Sequence, residues 1–108
     1  MVDHAWIREN VGVADVIQIL GFPLKREHPR TDPTNGRYYH VWRGRCPACK
    51  GGPRSLVATE VRGFTCFQRK IGINPDQWLS GDAIALYAHI QGVSMREAAE
   101  AIANQFAF

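Results

Sequence analysis

The fold is decided by residues 37–67, which read RYYHVWRGRCPACKGGPRSLVATEVRGFTCF. Aromatic and β-branched residues precede the first cysteine, and this composition predicts a strand over 37–45. A second strand over 54–61 is expected to turn at Arg62-Gly63 into a third strand over 64–67. The stretch therefore predicts a sheet of three short antiparallel strands with cysteines at its ends.

The cysteines of this stretch are spaced as metal ligands. Cys46 and Cys49 are separated by two residues on a turn, which lets both sulfurs approach one tetrahedral ion at about 2.3 Å. Cys66 follows near the predicted end of the third strand. We therefore predict a zinc-ribbon-like sheet that binds one Zn²⁺ through Cys46, Cys49 and Cys66. A ribbon without metal, held by packing alone, is the alternative.

The fourth ligand of such a site is not evident from the sequence. A ribbon normally places it three positions after Cys66, but that position is Arg69, and a guanidinium does not bind zinc. Asp76 and His40 are candidates, although six strand residues would separate His40 from Cys46 by roughly 20 Å. A partner chain or a water molecule are the other possible sources.

Catalysis within this chain is not predicted. Thiol oxidoreductases with this cysteine spacing begin a helix at the motif, whereas Lys50-Gly51-Gly52-Pro53 disfavours a helix here. No sequence feature brings Cys66 together with His40 or His89 as a nucleophile and its base. The sequence also has no Asp-x-Asp pair to hold the two magnesium ions of nucleotidyl transfer.

Helical signals precede the sheet. Residues 3–20 carry apolar residues at helical spacing, with a break at Val11-Gly12 and a stop at Gly21. An extended segment over 22–26 follows, and Asn35-Gly36 is a strong turn signal before the first predicted strand. The N-terminal part, 1–22, is therefore predicted to form one or two helices.

Helical signals also follow the sheet. Ser80-Gly81-Asp82 supplies capping oxygens for a helix that Gly92 closes. Ser94 and Glu97 form a capping box for a last helix over 95–106 that packs back on the preceding one. The whole chain, 1–108, is thus predicted to be one α+β domain: a helical segment, the sheet over 37–67, and a helical pair over 80–106.

Positive charge is concentrated in the middle of the chain. The net charge is +3, but the segment from Lys25 to Lys70 contains eleven basic and three acidic residues, a net charge of +8. This concentration favours a polyanionic partner, and a solvated face is the alternative. The predicted nucleic-acid-binding residues are Arg37, Tyr39, Trp42, Arg43, Arg54, Arg62, Phe64 and Lys70. The three aromatic residues among them could equally fill the core.

The sequence has no signal for membrane insertion or secretion. No apolar run approaches the length that spans a bilayer, and residues 1–10 lack the regions of a secretory signal. Three cysteines cannot all pair within one chain, and their spacing is typical of metal ligands in a reducing compartment. We therefore expect a cytoplasmic protein without a membrane partner.

Short motifs follow one another in a fixed order along nearly the whole chain. They are Phe22-Pro23-Leu24-Lys25, Gly44-Arg45-Cys46-Pro47-Ala48-Cys49, Pro53-Arg54-Ser55-Leu56, Phe64-Thr65-Cys66-Phe67, Gly81-Asp82-Ala83-Ile84 and Gly92-Val93-Ser94-Met95-Arg96-Glu97-Ala98. The ordered set resembles the N-terminal zinc-binding domain of DnaG-type DNA primases of bacteria, phages and mobile elements. Cys49 stands where that family usually has histidine, the last cysteine is absent, and 68–80 resembles an insertion.

The resemblance implies a function in DNA replication. In the primases that this chain resembles, the zinc-binding domain engages the single-stranded DNA template, and a separate domain or protein synthesises the primer. We therefore expect single-stranded DNA as the ligand and a replicative helicase or polymerase as a partner. The alternative is a protein-interaction module that docks on such a partner without binding DNA itself.

Overall fold

The computed structural model describes residues 4–22, 24–49, 52, 54–60, 63–70 and 78–105. Several predictions fall outside this description: Arg62 and the side chain of Lys70 as nucleic-acid contacts, Asp76 as a zinc ligand, and Phe106 as the end of the last helix. None of the described helices is long and apolar enough to cross a membrane.

Two short helices begin the chain, α1 (His4–Asn10) and α2 (Val13–Leu20). The backbone N–H of Gly12 donates to the Asp15 carboxylate at 2.8 Å, which satisfies a free donor at the start of α2. Gly21 ends α2 in the left-handed region, and its N–H donates to the Ile17 carbonyl at 2.9 Å. The predicted break and stop are both confirmed.

Five antiparallel strands form one sheet in chain order. They are β1 (Lys25–Thr31), β2 (Tyr38–Gly44), β3 (Leu56–Thr59), β4 (Gly63–Lys70) and β5 (Trp78–Gly81). The three central strands correspond to the predicted ones. The two edge strands were not predicted, so the sheet is larger than the expected ribbon. An edge strand pairs on one side only, and therefore β1 tolerates Pro29 and many charges.

The turn between β1 and β2 lies where the sequence predicted it. Gly36 has a φ of 70°, and its N–H donates to the Asp32 carbonyl at 2.8 Å. The pairing of the two strands shifts between Glu27 and Arg30, so that two residues of β1 lie opposite one residue of β2. This bulge shapes the free edge of the sheet.

Helices α3 (Ala83–Gln91) and α4 (Met95–Gln105) end the described chain and pack on each other. The Asp82 carboxylate accepts from the Ala85 N–H at 3.0 Å, and Gly92 closes α3 with a φ of 67°. Ser94 Oγ accepts from the Glu97 N–H at 3.1 Å at the start of α4. These are the caps that the sequence predicted, and they confirm the helical pair.

The core lies between the helices and one face of the sheet. Helices α2 and α3 pack against β3, β4 and β5. The largest fully buried side chains of this layer are Ile7, Val16, Leu56, Phe64, Ile84, Leu86 and Ile102. On the opposite face, Tyr39, Val41 and Val57 form a separate small cluster. The molecule is therefore an α+β fold with an antiparallel sheet and flanking helices.

Candidate metal centre

A turn, a strand and a helix bring four ligand-bearing side chains together. Cys46 and Cys49 lie at the turn that follows β2, Cys66 lies in β4, and His89 lies in the last turn of α3. Their sulfur and nitrogen atoms all lie within 4.8 Å of one another. This Cys3His cluster could hold one metal ion.

The distances within the cluster fit tetrahedral coordination. His89 Nε2 lies 3.2 Å from Cys46 Sγ and 3.5 Å from Cys49 Sγ, and the sulfurs of Cys49 and Cys66 are 3.7 Å apart. Tetrahedral bonds of about 2.3 Å to sulfur and 2.0–2.1 Å to nitrogen place two sulfurs roughly 3.8 Å apart, and a sulfur and a nitrogen roughly 3.6 Å apart. These three separations are therefore close to those of a tetrahedral site, and the other three lie within 4.8 Å.

Ser55 fixes the cysteine turn to the sheet. Its buried Oγ accepts a hydrogen bond from the Cys46 N–H at 3.0 Å. Its backbone carbonyl accepts from the Phe67 N–H at 2.7 Å, one residue after Cys66. Ser55 thus connects Cys46 to β4, the strand that carries Cys66.

His89 is held by the sheet on which α3 lies. Its ring stacks on Phe64, with ring centroids 6.2 Å apart and an angle of 13° between the planes. Gly81 lets the helix approach β5 closely, since a Cβ atom there would lie 2.5 Å from the Ala85 Cβ. His89 lies four positions after Ala85, so that both lie on the same face of α3.

The surroundings of Cys49 favour its neutral thiol. Desolvation by burial, followed by hydrogen bonds to the Cys66 and Cys46 thiols, raises the pKa of Cys49 to about 12. A divalent cation reverses this preference, because it binds thiolates and displaces their protons. Cys46 and Cys66 are fully buried and Cys49 is half-buried. The cluster is thus largely closed to solvent, which is typical of structural rather than catalytic zinc sites.

His89, the fourth member of the cluster, was not predicted as a metal ligand from the sequence. His40, a predicted candidate, lies on β2 in contact with Arg26 and Glu60 and does not join the cluster. The sequence contained one signal for His89: it is the one metal-ligating side chain in α3, AIALYAHIQ. The spacing of a ribbon gave no reason to expect a ligand so far along the chain.

Two of the three predicted base-stacking residues are buried. Phe64 is 1% exposed and belongs to the core beside His89, and Tyr39 is 8% exposed in the cluster on the opposite face. Trp42 is partly buried against the main core. Phe64 and Tyr39 are therefore corrected to packing residues, because buried rings present no face to a base.

Two of the predicted phosphate contacts are engaged within the protein. Glu27 binds Arg43 Nε at 3.1 Å and Arg54 Nη2 at 3.2 Å. Desolvation raises the pKa of Glu27, but the hydrogen bonds and charges of the two arginines outweigh it and hold the pKa below its ordinary value. Each guanidinium is therefore already paired with the Glu27 carboxylate, and a phosphate would have to compete with that carboxylate.

Two further predicted contacts, Arg37 and Lys70, lie next to or at the end of a strand. Arg37 is exposed at the turn between β1 and β2, where its N–H donates to Asn35 Oδ1 at 2.9 Å. Lys70 ends β4, and its side chain, like all of Arg62, lies outside the described residues. The structure thus brings the metal ligands together, whereas among the described nucleic-acid candidates Arg43 and Arg54 meet at Glu27 and the rings of Phe64 and Tyr39 are buried in separate clusters.

Comparison with known proteins found no similarity: no family model matches the chain, and neither a curated protein nor a solved structure matches it.

Proposed function

We propose that this chain is a zinc-stabilised module that binds single-stranded DNA in the manner of a primase zinc-binding domain. The observation that carries the proposal is the closed Cys3His cluster, which joins the sheet to α3. Three thiolates and an imidazole in tetrahedral arrangement are ligands that suit zinc. The metal would hold the sheet against the helices. Primer synthesis itself would be catalysed by another domain or protein.

Several properties support a binding role over catalysis. Within the described part of the chain, no second group of three or more His, Cys, Asp or Glu side chains lies close enough to hold a metal. The net charge of +8 between Lys25 and Lys70 suits a polyanion. The resemblance to primases supports the single-stranded template as that polyanion, with a cytoplasmic helicase or polymerase as a partner.

The proposal is tested by metal analysis and by binding to labelled oligonucleotides. We expect one zinc per chain by mass spectrometry of the metal. We also expect fluorescence anisotropy to report salt-sensitive binding that favours a single strand over its duplex. Zinc without DNA binding would leave the docking module as the better function. The absence of both zinc and DNA binding would overturn the proposal.

The Glu27 ion pairs make a separate prediction. Glu27→Gln removes the carboxylate that engages Arg43 and Arg54, so that both guanidiniums become available to phosphates. We expect tighter binding of a single strand, with the salt slope steeper by about 0.7 for each additional phosphate that the protein neutralises. Anisotropy titrations at two salt concentrations measure this slope.

Glu100→Gln is the matched control, because it changes the net charge equally and frees Arg96, which lies on α4 away from the sheet. Equal effects of the two substitutions would show that net charge alone governs binding. An unchanged slope in Glu27→Gln would show that Arg43 and Arg54 do not contact the nucleic acid.

A further inference from the structure

The strands β1 and β2 extend beyond the layer of helices. Helices α2 and α3 lie against β3, β4 and β5, and none of the described helices packs to a similar extent on β1 or β2. Alternate residues of β2 share a face, so Tyr38, His40 and Trp42 lie in one row. This row is on the same face of the sheet as the helices, which cover that face at β3, β4 and β5. The row begins at the core and ends in solvent.

The exposure of the three rings increases along this row. Trp42 packs partly against the main core, and its ring centroid is 6.1 Å from that of His40. The His40 side chain is about half exposed, and Tyr38 at the end of the row is 79% exposed. An aromatic ring that is this exposed, on a strand rather than a loop, is a candidate for stacking on an unpaired base.

A cationic side chain, that of Arg26, flanks the same row, because Arg26 lies opposite Trp42 in the neighbouring strand and shares its face. A cleft of about 430 Å³ at the bulge of β1 is lined by Lys25, Arg26, Glu27, His28, Pro29 and His40. The Arg26 guanidinium lies within hydrogen-bond distance of both ring nitrogens of His40. Among the described residues, no carboxylate lies within ion-pair distance of Lys25 or Arg26.

The two carboxylates nearest to the cleft have other partners. Glu27 binds Arg43 and Arg54, and its position in β1 places it opposite Val41, on the face away from the aromatic row. Glu60 accepts from the backbone N–H of His40, and one of its oxygens lies 3.7 Å from His40 Nε2. Glu60 thereby holds His40 in the row, and neither carboxylate forms an ion pair with Arg26.

We propose that this surface, formed by Arg26, Tyr38 and His40, is where a single-stranded nucleic acid binds. A base stacks on Tyr38, and the adjoining phosphate contacts Arg26 at the mouth of the cleft. The inference rests on the proposed function and locates its ligand surface. None of these three residues belongs to the set of predicted nucleic-acid contacts, whose aromatic members are buried or partly buried.

The surface distinguishes a single strand from a duplex. A base that stacks on Tyr38 must leave its own stack and pairing, which a single strand permits at low cost. The cleft lies on the edge strand β1, beside the row of Tyr38, His40 and Trp42. The sugar-phosphate backbone of a single strand can therefore run along β1 while its bases contact the aromatic row. A duplex would contact only the Arg26 guanidinium.

The test measures single-strand binding of the zinc-loaded chain by fluorescence anisotropy at several salt concentrations. Tyr38→Ala is expected to weaken binding about tenfold with little change in salt slope, because it removes one stacking contact. Tyr38→Phe keeps the ring and is expected to bind like the unmodified chain. Arg26→Ala is expected to lower the salt slope by about 0.7, the value for one phosphate contact.

Arg96→Ala is the matched control for Arg26→Ala, because it removes an exposed cation on α4. The unmodified chain and the variants are compared at equal zinc content, so that a folding defect is detected separately. If the unmodified chain binds a single strand and both Tyr38→Ala and Arg26→Ala bind equally well, the surface is wrong and the proposed function stands. If the unmodified chain does not bind a single strand, both the proposed surface and the proposed function are wrong.

Discussion

Replacement of His89 by alanine is expected to weaken zinc binding more than about 100-fold, beyond the 10–100-fold that loss of an outer partner of a ligand typically causes. His89 supplies the nitrogen of the cluster at 3.2 Å and 3.5 Å from two of its sulfurs. Without it, three thiolates share an ion with an incomplete coordination shell. Competition with a chromophoric chelator measures the affinity.

The same substitution should also destabilise the fold. His89 is the ligand that connects the metal to α3, whereas the three cysteines lie in the sheet and its turn. Loss of a structural metal is among the changes that cost more than about 4 kcal/mol. For a domain of this size, that loss lowers Tm by roughly 15–30 °C. Thermal unfolding followed by circular dichroism measures the shift.

Two further variants make this result specific. His89→Cys offers a fourth thiolate and is expected to retain zinc. His28→Ala removes an exposed histidine of β1 that lies outside the cluster, and it should leave both zinc content and Tm unchanged. If His89→Ala retained zinc with unchanged affinity and Tm, the fourth ligand would lie elsewhere, and Asp76, which the sequence suggested, would be the next residue to replace.

Substitution of Gly63 by alanine is expected to destabilise the protein by about 3 kcal/mol or more. Gly63 begins β4 with a φ of 78°, in the left-handed region, where a side chain costs about 1–2 kcal/mol. A Cβ atom there would also overlap the carbonyl oxygen of Gly81, its neighbour near the start of α3. Relief of such an overlap requires backbone movement, which typically costs a further 1–3 kcal/mol. Urea denaturation of the zinc-loaded protein measures the difference.

The variant Gly92→Ala distinguishes the cost of the left-handed backbone from the cost of the steric overlap. Gly92 has nearly the same φ, 67°, but no atom lies within 4 Å of the position that a Cβ would occupy. We therefore expect only the backbone strain, about 1–2 kcal/mol. Equal losses of stability in the two variants would show that the close approach of Gly63 to Gly81 has no energetic consequence.

Much of the fold could be predicted because its signals are local. The ends of the helices depend on groups a few residues apart, such as Asp82 with Ala85 and Ser94 with Glu97. The turn at Asn35-Gly36 depends on the backbone freedom of a single glycine. These interactions form within one turn of the chain, so the residues that make them are visible in the sequence.

The edge strands could not be predicted for a physical reason. Strand β1, KREHPRT, has neither alternation nor β-branched residues until Thr31, and it is extended because β2 supplies hydrogen-bond partners. Strand β5 likewise lies in a stretch that resembled an insertion, and it pairs with β4. Pairing across a sheet overrides local propensity, which is weak for strands.

The sequence by itself determined the helices, the turns, the three central strands and the pair of cysteines at metal-ligand spacing. Only the tertiary structure decided which residue completes the cluster, since His89 lies 43 residues after Cys46 and reaches it by the packing of α3 on β4 and β5. It also decided that Phe64 is buried beneath that helix while Tyr38 is exposed beyond it. Spacing encodes contacts within a turn, whereas contacts between distant segments follow from how the elements pack.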